Sequence, residues 1–504
     1  LEPDGILTIV LPHGVLFRGG EEEQIRTNLI EKNNIDAIIG LPANIFFGTG
    51  IPTLVMVLKQ HRASDDVLII DASKGFVKDG KQNKLRACDI KKIADTVRDR
   101  KDVHGFSRRV SREEIRQNGY NLNIPRYVDS SEAAEQYDIY ATMFGGIPNA
   151  EIDALQKYWE AFPTLRSDLF KPEYDKPYSV LKVEDVKTTI ELNTDVKWFN
   201  VQFNEAFNGF ADMLHKMLID HVMDVRELQA QDEIASDMFS RLCNIPLVDR
   251  YAVYQALADN WQAIISDIET IQEEGFDAVR VVETAYKLVK KGDEDVEVPD
   301  GLKGRIIPFS LVQNMKFQTE LNAISALQSR VEAISGELDE VRDSFNEEEL
   351  ETYCDSEKDN AFDKKKITAD AKPKADVEAE TKAKLKQIVS LWNEQTTINK
   401  QIKADKLALE EKTIKAIENL TDEEAAMLLH HKWIDPICEG IDNTLRSVLS
   451  ALESEALALS EKYATSYKQI NDDMVAANEE LAGLVEQLTG DEFAIRGLKE
   501  LVKE

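Results

Sequence analysis

Gly5–Lys59 reads GILTIVLPHGVLFRGGEEEQIRTNLIEKNNIDAIIGLPANIFFGTGIPTLVMVLK. Three apolar runs stand out in it. Ile6–Leu11 ends at Pro12, Ile35–Leu41 ends at Pro42, and Ile51–Leu58 follows. Between the first two, Glu21–Lys32 carries Ile25, Leu29 and Ile30 at helical spacing. Short continuous apolar runs predict strands buried on both faces, and the intervening helix predicts a βαβ unit with a parallel sheet. Proline cannot continue a central ladder, so each of the first two strands stops where a loop begins. Ligands of open α/β sheets sit at the carboxyl ends of strands. Pro12–Gly20 and Pro42–Gly50 are therefore the first candidates for a site.

The 504 residues are enough for about three or four domains. With 93 acidic and 61 basic residues the formal charge is −32. So acidic a surface repels phosphate, which predicts no tight DNA binding by the chain alone. The plainer reading is that the acidity keeps long helices soluble. Cys88, Cys243, Cys354 and Cys438 lie far apart with no CxxC, which argues against a structural zinc site and for a reduced, cytoplasmic chain. There is no signal-peptide pattern and no apolar run of membrane-spanning length. No metal site, Ser-His-Asp set, P-loop or EF-hand loop is expected.

Along the chain, Val67–Ser73 reads as another buried strand and Lys91–Arg100 as a short helix. Ser111 with Glu114 reads as a capping box, and Asn118–Gly119 ends that helix. Asn121–Asp129, NLNIPRYVD, reads as extended because Pro125 biases Ile124 away from the helical region. After a linker at 130–148, Ala150–Phe162 reads as a helix, and the chain stays mostly helical to about 300. The stripes Trp198, Phe199, Phe203, Phe207, Phe210, Leu214, Leu218 and Tyr251, Tyr254, Leu257, Trp261 read as core, not as a ligand cage. Ile324, Leu327, Val331, Ile334, Leu338, Val341 and Phe345 form a heptad seam. The acid- and Lys-rich stretch 346–384 reads as a mobile tip, and a second helical run from Leu385 to Leu409 suggests an antiparallel hairpin. Thr421 with Glu424 caps the next helix, and a long helix runs from about Ile441 to Leu488. His430 and His431 are adjacent, so they point to different helix faces and read as structural.

LPHGVLFRGG, then IRTNLIEKNNIDAIIGLPANIFFGTGIPTLVMVLK, then NLNIPRYVD, resemble the methylation (M) subunit of type I restriction–modification systems, a group of DNA adenine-N6 methyltransferases. The likeness covers Leu1 to about Asp129, and the segments GGIPNAEIDALQKYWEAFPTLRSDLF and VDRYAVYQALADNW resemble the C-terminal extension of longer members. It implies an α/β fold, a partial Rossmann-like methyltransferase sheet, followed by a mostly α-helical region with long coiled-coil-like helices. The family's glycine-rich cofactor loop and its Asn-Pro-Pro-aromatic motif do not occur, and the chain opens just before what would be the fifth strand, so an exposed apolar edge is expected near Ile6–Leu11 unless another segment covers it. The expected domains are 1–129, the C-terminal half of the catalytic domain; 130–148, a linker; 149–310, a helical extension; 311–420, a helical hairpin with its tip at 346–384; and 421–504, a docking arm.

The implied reaction is methyl transfer from S-adenosylmethionine to adenine N6. The base leaves the stack to reach the cofactor and is held on aromatic faces. In related enzymes the second aromatic face lies just before the last strand pair, which falls here on Phe46 or Phe47, with Phe46 favoured and one of the two expected to pack under the loop. Gly48 and Gly50, bracketing Thr49, allow close approach of DNA or a partner. Pro12 and His13 read as pocket wall. Arg18 reads either as a phosphate contact or as a salt bridge to a neighbouring acid. No catalytic residue is retained, no cofactor-binding residue is assigned, and the polypeptide alone is expected neither to bind S-adenosylmethionine nor to transfer methyl groups. The implied partners are a specificity (S) subunit, docked by the C-terminal helices, a restriction (R) subunit, and DNA through the assembled complex, with no membrane. The competing reading is a non-catalytic assembly protein derived from such a subunit.

Overall fold

The computed structural model describes residues 4–131, 136–291, 294–355, 361–375 and 377–501. The chain divides into two compact units. One comprises Leu1–Ala211, Leu228–Gln262 and Ile437–Glu504, and the other Asp212–Glu227 and Ala263–Pro436.

The first unit is built on a five-stranded sheet. Its strands are β1 (Ile6–Pro12), β2 (Ile35–Gly40), β3 (Thr53–Lys59), β4 (Val67–Asp71) and β7 (Ser107–Val110), in the order β1-β3-β2-β4-β7. A separate ribbon pairs β5 (Val77–Asp79) with β6 (Gln82–Lys84). Helices α1 (Glu21–Glu31), α2 (Ala87–Asp99) and α3 (Arg112–Gln117) complete this region. β2 and β4 are parallel, as the apolar runs predict. β1 and β2 are not neighbours, however. The chain turns back after β2, and β3 inserts antiparallel to both.

The sheet buries two faces, as alternation of side chains requires. Ile38, Leu54, Met56 and Ile69 meet Ile30 of α1 and Ile115 of α3 on one face. Ala37, Ile39, Leu68 and Ile70 meet Ile93 and Val97 of α2 on the other. An irregularity between Ile35 and Ala37 leaves Asp36 as an extra residue in β2. Its carboxylate turns into a cluster of cations: Lys59 at 2.7 Å, Arg62 at 2.9 Å and Arg100 at 2.7 Å.

β1 is not buried on both faces but forms the exposed apolar edge expected near Ile6–Leu11. Among the described residues it pairs only with β3, and Ile6, Leu7, Ile9 and Val10 are exposed. A continuous apolar run encodes a demand for burial without saying what meets it. Asn121–Asp129 is a second correction. Ile124–Arg126 forms a 3-10 turn, because Ile124 drives its side chain into the core against Gly40. The Ser111 cap forms, with its hydroxyl accepting from Glu114 N, while the Glu114 carboxylate turns to Arg108.

The predicted helix at 150–162 is two short ones, Asn149–Asp153 and Gln156–Ala161, held across the break by Trp159 Nε1 donating to Ile152 O at 2.7 Å. A small antiparallel sheet of Ile147–Pro148, Tyr178–Leu181 and Phe170–Pro172 follows. Phe199, Phe203 and Phe210 are core, as are Tyr251, Tyr254, Leu257 and Trp261, whereas Trp198 is exposed. The predicted single helix at 441–488 breaks between Lys462 and Tyr467, where the Tyr463 hydroxyl donates to Glu151 and Ser466 caps the next helix. On that helix, Tyr467–Glu486, the residues Tyr467, Ile470, Met474, Leu481 and Leu484 are exposed.

In the second unit the helices Gln318–Asp343 and Ala379–Glu418 pack side by side. Glu320 pairs with Lys412, Arg330 with Glu394, and Lys384 donates to Ser344 O, so the two run antiparallel. Ile324, Ile334, Leu338, Val341 and Phe345 of the predicted seam are buried. The stretch 346–384 is folded where described, against the expectation of a mobile tip. Asn346 and Glu349 form a capping box, and Tyr353 and Ile367 join Phe345, Leu385 and Ile388 in a small core. Four apolar anchors, Tyr353, Phe362, Ile367 and Val377, are enough to fold a stretch whose average composition looks disordered. Residues 356–360 and 376 lie outside the described set. A long antiparallel ribbon, Val282–Lys291 with Glu294–Gly304, has no counterpart in the helical reading of this region. The predicted Thr421–Glu424 box is present. His430 Nδ1 faces His215 Nδ1 at 2.9 Å, and burial pulls His430 below the usual imidazole value. Among the described residues no helix is long and apolar enough to cross a membrane, and no three His, Cys, Asp or Glu side chains gather as a metal site.

Candidate functional site

The chain between β2 and β3 makes the most exposed aromatic feature of the sheet's carboxyl side. Leu41 N donates to Thr53 O at 2.8 Å and closes the base of the loop. Ile45 packs into the core beside Leu41 and anchors the loop from below. Asn44 takes a positive φ of 55° and Gly48 one of 78°. A Cβ on Gly50 would stand 3.0 Å from Asn44 Oδ1, so this glycine is needed for close approach of the loop to itself. Thr49 Oγ1 accepts from Ile51 N at 3.2 Å.

Held this way, the loop presents both phenylalanines outward. Phe46 is 42 % exposed and Phe47 93 %. Neither packs under the loop, which corrects the expectation that one would. Ile45 takes that role. An exposed phenylalanine forgoes about 1.5–3 kcal/mol of burial, which a stacked ligand recovers.

A second support was not legible in the sequence. Asn83 of β6 donates from its backbone to Asn44 O at 2.9 Å and from Nδ2 to Ala43 O at 2.7 Å. The β5–β6 ribbon is thereby fastened to the flank of the Phe46–Phe47 loop.

The Pro12–Gly20 segment is the other predicted site loop. Pro12 pairs with Thr53 at the end of the β1–β3 ladder. His13 Nε2 lies 3.1 Å from Thr53 O, at the base of the aromatic loop, so His13 is brought to that loop as a wall. Arg18 is not brought there. Its guanidinium lies over Gly14 and sits 3.9 Å from Glu22, an exposed and loose pair. Arg26 organises the segment and was missed. Buried in α1, it donates to Val15 O, Arg18 O and Tyr120 O. Helical periodicity marks apolar faces and gives no sign of an arginine turned inward.

A separate cavity of about 530 Å³ opens beyond the carboxyl end of β4, lined by Asp71, Arg86, Lys92, Tyr251 and Gln255 among others. Its cations are engaged. Arg86 bridges Asp89, and Lys92 stands 4.5 Å over the Phe106 ring.

Residues 1–136 match the model of the N-6 DNA Methylase family. The chain resembles the methylation subunit of type I restriction–modification systems. The type I restriction enzyme MpnII methylase subunit of Mycoplasma pneumoniae is 39% identical over 140 residues, 28% of this chain and 26% of that protein. The MjaVII methylase subunit of Methanocaldococcus jannaschii is 42% identical over 137 residues, 26% of this chain and 24% of that protein. The crystal structure of a type I restriction-modification system methyltransferase subunit from Streptococcus thermophilus is 54% identical over 25% of this chain and 27% of its own, with a TM-score of 0.25. The chain spans about a quarter of the length of the curated relatives it matches.

Proposed function

We propose that residues 1–129 are part of the adenine-binding side of a DNA adenine-N6 methyltransferase, and that the chain belongs to the methylation subunit of a type I restriction–modification enzyme. The observation that carries this reading is the outward presentation of Phe46 and Phe47 on a braced loop at the carboxyl end of β2, inside the segment that matches the family model. A target adenine leaves the duplex and stacks on an aromatic face, with Phe47, the more exposed of the two, as its platform. Base–aromatic stacking contributes about 1–3 kcal/mol. His13 and Pro12 form the wall at the loop's base.

S-adenosylmethionine is the methyl donor such an enzyme uses. The residues present do not fit it by themselves. The Val15 and Arg18 carbonyls in the turn after β1, with that of Tyr120, are taken by Arg26, and the exposed side chains of β1 are mostly apolar. The sequence has no Asn-Pro-Pro-aromatic motif to accept hydrogen bonds from the amino nitrogen. No step is therefore routed through these residues beyond holding the base, and the isolated chain is read as inactive. The exposed apolar face of Tyr467–Glu486 is the surface proposed to dock a specificity subunit, and through it the restriction subunit and DNA.

The test is methyl transfer to duplex DNA by the assembled enzyme with Phe47→Ala or Phe46→Ala in this chain. Loss of a stacking face lowers kcat/KM about tenfold to a hundredfold. Wild-type rates in both variants would remove the loop from the base site.

A further inference from the structure

The charge of the chain is unevenly spread. Residues 1–129 carry 20 Lys or Arg against 18 Asp or Glu, so the whole acidic excess lies in residues 130–504. Within the methylase-like region the cations are mostly spent on carboxylates: Lys59, Arg62 and Arg100 on Asp36, Arg108 on Glu114, Arg116 on Glu31. The β5–β6 ribbon gathers cations that are not. Lys74–Arg86 holds five Lys or Arg and one Asp. Lys78, Lys81 and Lys84 are exposed, and among the described residues none of them is in an ion pair.

The ribbon is also fixed in a specific place. Its two-residue turn, Gly80–Lys81, is set by Gly80 at φ 59°. Lys78 is paired directly with Asn83, so the two side chains share one face of the ribbon, with Lys81 at its turn and Lys84, opposite Val77, on the other face. Asn83 is the residue that bonds Ala43 and Asn44 of the aromatic loop. Phe47 follows Asn44 by three residues, at most about 10 Å of chain. The nucleotides on either side of a base stacked on Phe47 therefore bring their phosphates within reach of a lysine side chain.

We propose that Lys78, Lys81 and Lys84 form a phosphate clamp that holds the DNA backbone beside the flipped base. The proposal rests on the reading of the Phe46–Phe47 loop as a base site. Lysine phosphate contacts position the duplex without reading its sequence. Each one released shows as a change of about 0.9 in the slope of log affinity against log salt concentration.

The experiment is fluorescence anisotropy of the full chain with a labelled 30-base-pair duplex over a salt series. The combined variant Lys78→Gln, Lys81→Gln, Lys84→Gln is compared with wild type and with the charge-matched control Lys400→Gln, Lys403→Gln, Lys406→Gln. All six are exposed lysines, so melting temperatures should coincide and serve as the check on folding. The clamp predicts a slope smaller by about 2–3 in the ribbon variant and unchanged in the control. Wild-type binding with an unchanged slope in the ribbon variant overturns the clamp and leaves the base-site reading standing. Absence of duplex binding by the wild-type chain even at low salt overturns the clamp as a backbone contact of this chain and leaves the base-site reading, which is tested in the assembled enzyme, standing. Unchanged DNA binding together with lost binding of polyglutamate would assign the ribbon to an acidic protein and overturn the clamp.

Discussion

Asn83 Nδ2 donates to the carbonyl of Ala43 at 2.7 Å, and this one side chain joins a basic ribbon to an aromatic loop 40 residues earlier in the chain. The loop has few other restraints: a clasp at its base, the Asn83 backbone N–H on Asn44 O, one partly buried isoleucine, and local bonds within Asn44–Ile51. Asn83→Ala removes a hydrogen bond to a partly buried carbonyl, at a cost of about 1 kcal/mol. Amide exchange at residues 43–50 should quicken about fivefold or more, while β2 and β4 keep their protection. Equal acceleration across the sheet would mean that Asn83 supports the whole domain and not the loop.

Asp36 supplies the pH dependence. Burial opposes its ionisation, but Lys59, Arg100 and Arg62 outweigh that and hold the carboxyl below the usual carboxylate range. A depressed folded-state pKa stabilises the fold above the unfolded value of about 4 and is lost as pH falls through the folded value. At pH 7, Asp36→Asn should destabilise by about 3 kcal/mol, because it removes the carboxylate shared by Lys59, Arg62 and Arg100 and leaves the two arginines only Asp66. Urea midpoints of variant and wild type should differ widely at pH 7 and converge below pH 4. A gap that stays constant with pH would show that packing, and not charge, sets the cost.

β1 has one hydrogen-bonded neighbour among the described residues, and its apolar side chains are exposed. Amides of an edge strand alternate between paired and free. Hydrogen exchange of the isolated chain should therefore show alternate protection along Ile6–Leu11. Uniform protection would require a strand on the other side.

The helix Tyr467–Glu486 should tolerate change by itself. Ile470→Asp with Leu481→Asp replaces exposed groups, so the melting temperature should move little, within the about 0.5 kcal/mol typical of surface sites. Binding to a specificity-type subunit should fall about thirtyfold or more if both residues are anchors there. Retained affinity would direct attention away from this helix.

The strands were legible because β2 and β4 are apolar on both faces, and continuous runs such as Ile35–Leu41 have few other readings. The order of the strands was not. Nothing in Ile51–Leu58 says that it inserts between the first two, since strand partners are chosen by tertiary packing. The caps at Ser111 and Thr421 were legible because they need only neighbours three residues away. Asn83, Arg26 and the bulged Asp36 were not, because each works through contacts far along the chain. The aromatic loop was found at Phe46 and Phe47, yet the sequence did not show that Ile45 would take the buried place.

The most direct test of the central claim uses duplex DNA in which 2-aminopurine stands opposite an abasic position, so that the base leaves the stack at little cost. Adding the enzyme assembled with this chain should change the probe's fluorescence as the base stacks on Phe47, and Phe47→Ala should abolish most of that change while Trp198→Ala, an exposed aromatic outside the methylase-like segment, leaves it intact. An identical response from wild type and Phe47→Ala would contradict the assignment of this loop as the adenine platform.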